Sequence, residues 1–211
     1  MEIFEEISTL LQQGRAPKVK AAVQAALDGG ANPQDILNNG LLAGMSVIGE
    51  KFKENKVFIP EVLIAARAMT AGVEVLKPHL VSVGVEPAGT AVIGTIKGDL
   101  HDIGKNLVKM MLEGKGINVV DLGTDVAPER FVQAAVDNNA EIICCSALLT
   151  TTMNGMRGVV EEAQKAGIRE RVKIMVGGAP VTQEFCTSIG ADFYTADAAS
   201  AADVALAICK G

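Results

Sequence analysis

The chain has 211 residues, 49% of them hydrophobic and 21% charged, which suits a folded protein with a substantial core. A net charge of −6, one Tyr and no Trp argue against nucleic-acid binding, because phosphate-binding cations and base-stacking rings are both scarce. The sequence has no apolar run of membrane-spanning length, an acidic N-terminus where a signal peptide would be basic, and four cysteines without a CxxC pair. We therefore expect a cytoplasmic, thiol-reduced protein that binds neither nucleic acid nor membranes.

The first 81 residues carry helical patterns only. Apolar residues recur with helical spacing from Ile3 to Leu11 and again behind Pro17. Asn32-Pro33 is typical of a third helix start, with Gly40 as a candidate break in that helix, and Pro60 begins a fourth helix. Four amphipathic helices joined by short loops predict a four-helix bundle over residues 1–81.

Residues 82–89 lack periodicity and contain several helix breakers, so they are predicted to be a linker. From residue 90 the pattern changes to short apolar runs separated by helical stretches. Strands are predicted at 90–96, 117–122, 141–146, 172–176 and 191–194. Five βα units predict an α/β domain over residues 90–211, a flavodoxin-like (Rossmann-like) five-stranded parallel sheet with strand order 2-1-3-4-5. Ligands of such folds bind at the carboxyl ends of the strands.

The loop after the first strand, residues 97–106, is the most informative stretch. A simple interpretation is a strand-to-helix turn in which Asp102 caps the helix. Three nucleotide or phosphate interpretations fail on chemistry. Five residues rather than four separate Gly98 from Gly104, and Asn106 stands where a P-loop has a hydroxyl. A dinucleotide-binding glycine pattern is absent, and the third strand does not end in the aspartate of a phospho-receiver domain.

The loop offers instead an imidazole, His101, with the carboxylate of Asp99 two residues earlier. A carboxylate that binds one ring nitrogen while a metal binds the other is a common arrangement of metal-ligating histidines. The only other histidine, His79, is predicted to cap the end of a bundle helix. Because a zinc site needs three or four protein ligands, one histidine indicates a metal that brings its other ligands, as in a macrocycle.

These residues carry a resemblance to a known family. Asp99-x-His101-x-x-Gly104 resembles the corrinoid-binding signature of cobalamin-dependent methyltransferases, and Ser146-x-Leu148 and Gly177-Gly178 match the rest of that pattern after strands 3 and 4. Segments 44–52, 58–60 and 66–69 resemble the helical cap that precedes this domain. The whole chain thus resembles the corrinoid proteins of anaerobic methylamine, methanol and O-demethylase systems, and the cobalamin module of methionine synthase.

The resemblance implies roles for individual residues. His101 matches the lower axial cobalt ligand, Asp99 its hydrogen-bonded partner that takes up a proton, and Ser146 an extension of that relay. Gly104, Gly177 and Gly178 match positions that admit the nucleotide tail of the corrinoid. Phe52 and Ile59 of the bundle match residues that cover the methyl face. The remaining residues implied in cofactor binding are Leu100, Asp102, Ile103, Leu148, Thr150, Thr152, Ala179, Tyr194 and Thr195.

The implied function is that of a corrinoid methyl carrier in anaerobic one-carbon metabolism. Its cofactor would be cobalamin or a related corrinoid, present as methylcobalamin in the charged state. It would receive the methyl group from a substrate-specific methyltransferase and deliver it to a tetrahydrofolate or coenzyme M methyltransferase, with a reductive activation protein as third partner. Without partner proteins such a corrinoid subunit is not expected to be catalytic. The alternatives are a cobalamin-sensing regulatory module and a receiver-like interaction domain without a cofactor.

Overall fold

The structure, a computed structural model, describes residues 2–82 and 86–211. The chain divides into two compact units. The helical unit comprises Met1–Pro87 with Gly114–Gly116, and the sheet unit comprises Ala88–Glu113 and Ile117–Gly211. Ser82, the first residue of the predicted linker, is the last residue of a helix, and 83–85 lie outside the described residues.

The helical unit is built from amphipathic helices whose apolar stripes face inward. Their bounds are α1 Glu2–Gln12, α2 Ala16–Asp28, α3 Pro33–Asp35, a π-helical segment Ile36–Leu42, α4 Ala43–Lys53 and α5 Ile59–Ser82. Leu11, Val23 and Leu76 are fully buried, and each such side chain stabilises the fold by about 1.5–3 kcal/mol. The Asn32 side chain accepts a hydrogen bond from the Gln34 amide at 2.8 Å, so the predicted helix start is confirmed.

Gly40 does not break its helix, contrary to the sequence-based expectation. The chain remains helical from Pro33 to Lys53, and Gly40 lies inside the π-helical segment. A Cβ atom at this position would lie 3.0 Å from Cγ2 of Ile7 in α1. The missing side chain therefore permits close packing between two helices.

In the described part of the sheet unit, five parallel strands alternate with helices in the order β2-β1-β3-β4-β5. This is the predicted order. The bounds are β1 Thr90–Thr95, α6 Ile103–Glu113, β2 Asn118–Asp121, α7 Pro128–Asp137, β3 Ile142–Ser146, α8 Asn154–Lys165, β4 Lys173–Gly177, α9 Gln183–Ile189, β5 Phe193–Tyr194 and α10 Ala198–Lys210. The central strands are buried almost throughout, as expected of a parallel sheet covered on both faces.

Cys144 and Cys145 are adjacent in β3 and both are buried. Burial raises the pKa of the Cys144 thiol to about 12, so this thiol stays protonated at neutral pH. The two residues thus serve strand packing, as the sequence predicts. None of the helices formed by residues 2–82 and 86–211 combines the length and apolar character that a membrane-spanning helix needs.

Candidate functional site

The loops after β1 and β3 meet at the carboxyl edge of the sheet. Thr95 and Ser146, the last residues of these strands, are paired in register. The chain leaves β1 toward β2 on one side and β3 toward β4 on the other, so this edge contains the topological switch point where ligands of such sheets bind. A ligand site is therefore expected in segments 96–102 and 147–153.

Asp99 and His101 are in direct contact in the first of these segments. The ring nitrogen Nδ1 of His101 lies 2.7 Å from Oδ1 of Asp99, and the His101 amide donates to the same oxygen at 3.0 Å. Asp99 is completely buried, whereas 53% of the His101 side chain is exposed. A hidden carboxylate thus fixes an accessible imidazole, which is the contact that the sequence spacing predicts.

The second oxygen of Asp99 joins the loop after β3. Oδ2 accepts hydrogen bonds from the amides of Leu148 at 2.7 Å and Leu149 at 3.1 Å, and the Thr152 hydroxyl lies 3.2 Å away. Burial by itself raises the pKa of Asp99, but hydrogen bonds from His101 and from the amide of Leu148 outweigh it. The pKa of this carboxyl group therefore lies well below its usual range, and Asp99 is negatively charged at neutral pH.

The charge of Asp99 decides which ring nitrogen of His101 carries the proton. A carboxylate only accepts hydrogen bonds, so Nδ1 must be the donor. Nε2 of the neutral ring then has its lone pair free for a metal. Among the described residues there is no group of three or more His, Cys, Asp or Glu side chains that could hold a bare metal ion. The donor set fits a metal that is already held by a macrocycle.

The surroundings of His101 also fit a large, partly apolar group. Leu100 and Ile103, on either side of the histidine in the chain, are 73% and 72% exposed, and Leu148 and Leu149 are also exposed. A group of large, exposed apolar side chains is typical of a binding site rather than of surface that stays in contact with water. A macrocycle ligated by His101 would cover such side chains.

The three glycines of the predicted site differ in what surrounds them. A Cβ atom on Gly104 or Gly177 would meet no protein atom within 4 Å, so both positions leave open space for a ligand. Gly178 has a φ of +133°, and a Cβ atom there would collide with the carbonyl oxygen of Ala147. Gly178 is therefore required by the fold itself, whereas Gly104 and Gly177 are free to serve the ligand.

The side-chain hydroxyl hydrogen-bonded to Asp99 belongs to Thr152, whereas the resemblance implies that Ser146 extends the relay. Within the described residues, the Ser146 hydroxyl makes no hydrogen bond to Asp99 or His101, although the residue ends β3 beside them. The Thr152 hydroxyl lies within bonding distance of both Asp99 Oδ2 and the Leu149 carbonyl, at 3.2 and 2.9 Å. Its single proton can serve only one acceptor at a time.

The other predicted cofactor residues differ in their exposure. Asp102 is exposed and accepts a hydrogen bond from the Asn106 side chain at 3.0 Å. Thr150 and Ala179 are exposed in the loops after β3 and β4, and Thr195 is half-buried just after β5. Tyr194 packs against the core cluster.

The predicted residues of the bundle belong to the helical unit. Phe52 is half-buried in α4 and Ile59 is 39% exposed at the start of α5. Their proposed contact with the methyl face stays a prediction. Met69 is 6% exposed and is a core residue.

The sequence did not reveal several residues that form hydrogen bonds or ion pairs in or beside the loop that contains His101, residues 96–102. The hydroxyl of Thr95, which is fully buried, donates to the His101 carbonyl at 2.8 Å. Lys105 is 3% exposed, and its ammonium group lies 2.6 Å from Asp121 Oδ1. Asp125 accepts a hydrogen bond from the Gly98 amide at 2.7 Å. The acidic residues after β2 were visible in the sequence, but nothing there indicated which loop they contact.

Comparison with known proteins identifies the family of the chain. Residues 89–207 match the protein family described as B12 binding domain, and residues 3–77 match a second family of the same description. Together the two matches span nearly all of the chain. Fold and site thus define a corrinoid-binding protein, whose cofactor is cobalamin or a related corrinoid.

Relatives of similar length are named as corrinoid proteins. The chain is 43% identical over 201 residues to dimethylamine corrinoid protein 2 of Methanosarcina acetivorans, covering 95% of this chain and 93% of that protein. It is 47% identical over 173 residues to trimethylamine corrinoid protein 1 of the same organism, covering 81% and 80%. A solved structure of the methanol:cobalamin methyltransferase complex of Methanosarcina barkeri matches with a TM-score of 0.90 at 33% identity, covering all of this chain and 80% of that one. The chain belongs to the B12-binding family of corrinoid proteins.

Proposed function

We propose that the chain is a methyl carrier that holds its corrinoid through His101 and passes methyl groups between two methyltransferases. The observation that carries this proposal is the bond between the buried, charged Asp99 and Nδ1 of a half-exposed His101, at 2.7 Å. That bond leaves Nε2 as the nitrogen for the metal. A bound corrinoid supplies a cobalt atom that can accept and release a methyl group.

The residues of this chain have distinct tasks in the proposal. His101 binds cobalt, and Asp99 holds the imidazole in one tautomer and one orientation. If a corrinoid is bound, Nε2 of His101 would hold its cobalt, and the Asp99 carboxylate at Nδ1 would increase the basicity of the ring as a metal ligand. The loop amides of Leu148 and Leu149 would keep the Asp99 carboxylate in place.

The proposed partners follow from the relatives. Two relatives are named for dimethylamine and trimethylamine, which favours a methylamine-specific methyltransferase as the donor partner. The solved methanol:cobalamin methyltransferase complex supports binding to a substrate-specific methyltransferase in general. We propose a second methyltransferase that uses tetrahydrofolate or coenzyme M as acceptor, and a reductive activation protein that restores the reduced cofactor.

Cobalt ligation can be tested at a single residue. The chain contains only His79 and His101, so a His79→Gln protein grown with ¹⁵N-histidine carries the label at His101 alone. In the Co(II) state, the superhyperfine splitting of the EPR signal should change from the ¹⁴N to the ¹⁵N pattern. Anaerobic titration of the apoprotein with aquocobalamin should saturate at one equivalent with a histidine-bound spectrum, and His101→Gln should lose that spectrum. An unchanged EPR pattern would contradict the assignment.

The carrier role needs a second experiment, because a cobalamin sensor would also bind the cofactor. The reduced holoprotein is mixed with a dimethylamine methyltransferase and ¹⁴C-dimethylamine. About one equivalent of label should become bound to the protein and should leave again when an acceptor methyltransferase and its thiol or folate substrate are added. Corrinoid binding without any transfer of label, tested also with trimethylamine and methanol systems, would favour the sensor.

A further inference from the structure

The turn between β2 and α7 is hydrogen-bonded to the end of β1, where the loop that contains His101 begins. The Thr95 amide donates to the Gly123 carbonyl at 2.9 Å, and the Val126 amide returns a bond to the Thr95 carbonyl at 2.9 Å. Asp121, at the end of β2, accepts from the Gly123 amide at 3.0 Å. These bonds attach the turn, residues 122–126, firmly to the end of β1.

Asp125 makes two bonds from this turn to the stretch that precedes the histidine. Its carboxylate oxygen Oδ1 accepts from the Gly98 amide at 2.7 Å, and its own amide donates to the Asp99 carbonyl at 3.0 Å. The Asp99 amide meanwhile closes a tight turn onto the Ile96 carbonyl at 3.1 Å. Residues 96–99 are thus bonded on both sides, and Asp99 can hold its carboxylate in one place.

Asp125 adopts a strained backbone conformation to make these bonds. Its φ is +56°, and among the described residues only Asn55 and Asn139 share a positive φ without being glycine. Residues other than glycine seldom adopt this region, although Asn and Asp do so more often than the rest, and such conformations concentrate where the surroundings enforce a particular geometry. Here the enforced geometry points an exposed carboxylate at a backbone amide of the metal-ligand loop.

We propose that Asp125 is a positioning residue that keeps Asp99 and His101 in the geometry needed to ligate the corrinoid metal. The inference rests on the proposed function of His101. Ligand geometry must be held to within about half an ångström, and supporting hydrogen bonds normally provide this precision. Within the described residues, the hydrogen bonds of Asp125 to this loop go to Gly98 and to the backbone of Asp99, so it acts on His101 through them.

Three variants separate the side-chain bond from the backbone conformation. Asp125→Gly accepts a positive φ readily but removes the carboxylate. Asp125→Asn keeps both an Oδ1 acceptor and tolerance of this conformation. Asn139→Gly is the matched control, because Asn139 has a φ of +48° in the same unit, just after α7 and away from the loop. We expect Asp125→Gly to lose protection of the Gly98 amide and part of its corrinoid affinity. Asp125→Asn should retain both, and Asn139→Gly should change neither.

The first readout is amide hydrogen exchange of the apoprotein, followed by NMR. In the wild type, the Gly98 amide should exchange at least about tenfold more slowly than an unprotected amide, because it donates to Asp125. Asp125→Gly should exchange about five- to tenfold faster at Gly98, as expected for the loss of one hydrogen bond. If Asp125→Gly did not fold, wild-type and Asp125→Asn protection would decide, and an unprotected Gly98 amide would overturn the proposal.

The second readout is the visible spectrum during titration with aquocobalamin, with His101→Gln as the reference for an unligated histidine. Asp125→Gly should bind about fivefold more weakly and show a larger fraction without histidine ligation. If Asp125→Gly had the affinity and spectrum of the wild type, the positioning role would be refuted. It would also be refuted if Asn139→Gly lost as much affinity and histidine ligation as Asp125→Gly. Identical spectra for wild type and His101→Gln would instead refute ligation by His101, and the exchange data would still report on the loop.

Discussion

After β1 the chain is held by hydrogen bonds, whereas after β4 it is shaped by missing side chains. The Asp99 carboxylate receives four N–H donors and shares the Thr152 hydroxyl, all within the described residues. Gly177, at the end of β4, leaves open space instead. Both ends belong to one sheet edge, yet different physical causes determine their geometry.

The difference predicts how each end responds to mutation. At the β1 end, removing a polar group leaves buried partners unsatisfied, so the apoprotein itself loses stability. At the β4 end, a Cβ atom at Gly177 would meet no protein atom within 4 Å, so we expect a small side chain there to affect a bound ligand more than the apoprotein. Stability of the apoprotein and affinity for the corrinoid should therefore separate the two ends experimentally.

Asp99→Asn should have the largest effect. The amide NH₂ group of asparagine would face N–H donors in either orientation, because each carboxylate oxygen accepts at least two hydrogen bonds. We expect a loss of about 3 kcal/mol in the free energy of unfolding, measured by urea denaturation of the apoprotein at pH 7. Asp137→Asn, at an exposed aspartate with one bond to Gln133, is the control and should change little.

The pH dependence gives the same prediction a sign. The pKa of Asp99 is lower in the folded protein than in the unfolded chain, so its contribution is complete above the ordinary aspartate pKa of about 4. As the pH falls below about 4, toward the folded-state pKa, the unfolded chain takes up the proton first and the contribution shrinks. The gap between wild type and Asp99→Asn should therefore narrow in acid, and a constant gap would contradict the charged state of Asp99.

The two adjacent glycines Gly177 and Gly178, at and just after the end of β4, should respond differently to substitution. Gly178→Ala forces a Cβ atom against the Ala147 carbonyl at a φ of +133°, and we expect the apoprotein to lose about 2–3 kcal/mol. Gly177→Ala and Gly177→Val should leave the apoprotein within about 1 kcal/mol of wild type. Corrinoid affinity should fall stepwise with side-chain volume at Gly177. Unchanged affinity in Gly177→Val would remove this position from the cofactor site.

The sheet was predictable because its order follows from few rules. Five alternating βα units, right-handed crossovers and buried apolar runs leave little choice, and β2-β1-β3-β4-β5 is the result. The π-helical segment was not predictable in the same way. Within this segment Gly40 packs closely against Ile7, a long-range contact that helical periodicity does not reveal.

The site was predictable where side chains are close in sequence. Asp99 and His101 are two residues apart, and that spacing, together with the usual arrangement of metal-ligating histidines, predicts their contact. The amides of Leu148 and Leu149, which hold the other carboxylate oxygen, have no sequence signature because every residue has an amide. Asp125 stayed unnoticed for another reason: a positive φ at an aspartate depends on the turn around it.

Thr152→Val should have a smaller effect than the changes at Asp99 or Gly178. Valine keeps the shape of threonine but removes the hydroxyl that Asp99 shares with the Leu149 carbonyl. We expect the apoprotein to lose about 1 kcal/mol, measured by thermal or urea unfolding. Thr151→Val is the control, because Thr151 is the exposed neighbour in the same loop. Equal losses in the two variants would mean that β-branched substitution in this loop, rather than the hydroxyl, causes the effect.

Gly104→Ala should have the smallest effect on the apoprotein, and the effect should be favourable. Gly104 is the second residue of α6, is exposed, and a Cβ atom there would meet no protein atom within 4 Å. Alanine in place of glycine in an exposed helix stabilises by about 0.5 kcal/mol, chiefly because the unfolded chain loses freedom. A glycine that costs stability without a structural need indicates that another component requires the space.

That component can be identified by adding it. Differential scanning calorimetry of Gly104→Ala should give a slightly higher melting temperature than wild type without corrinoid and a smaller increase on addition of aquocobalamin, since a ligand stabilises in proportion to its affinity. The decisive result is that Gly104→Ala has the higher melting temperature without corrinoid and the lower one with it. A general change in stability would shift the melting temperature in the same direction in both forms. If Gly104→Ala kept its higher melting temperature after loading, Gly104 would not contact the nucleotide tail, and the open space beside Gly177 would be the remaining proposed position for the tail.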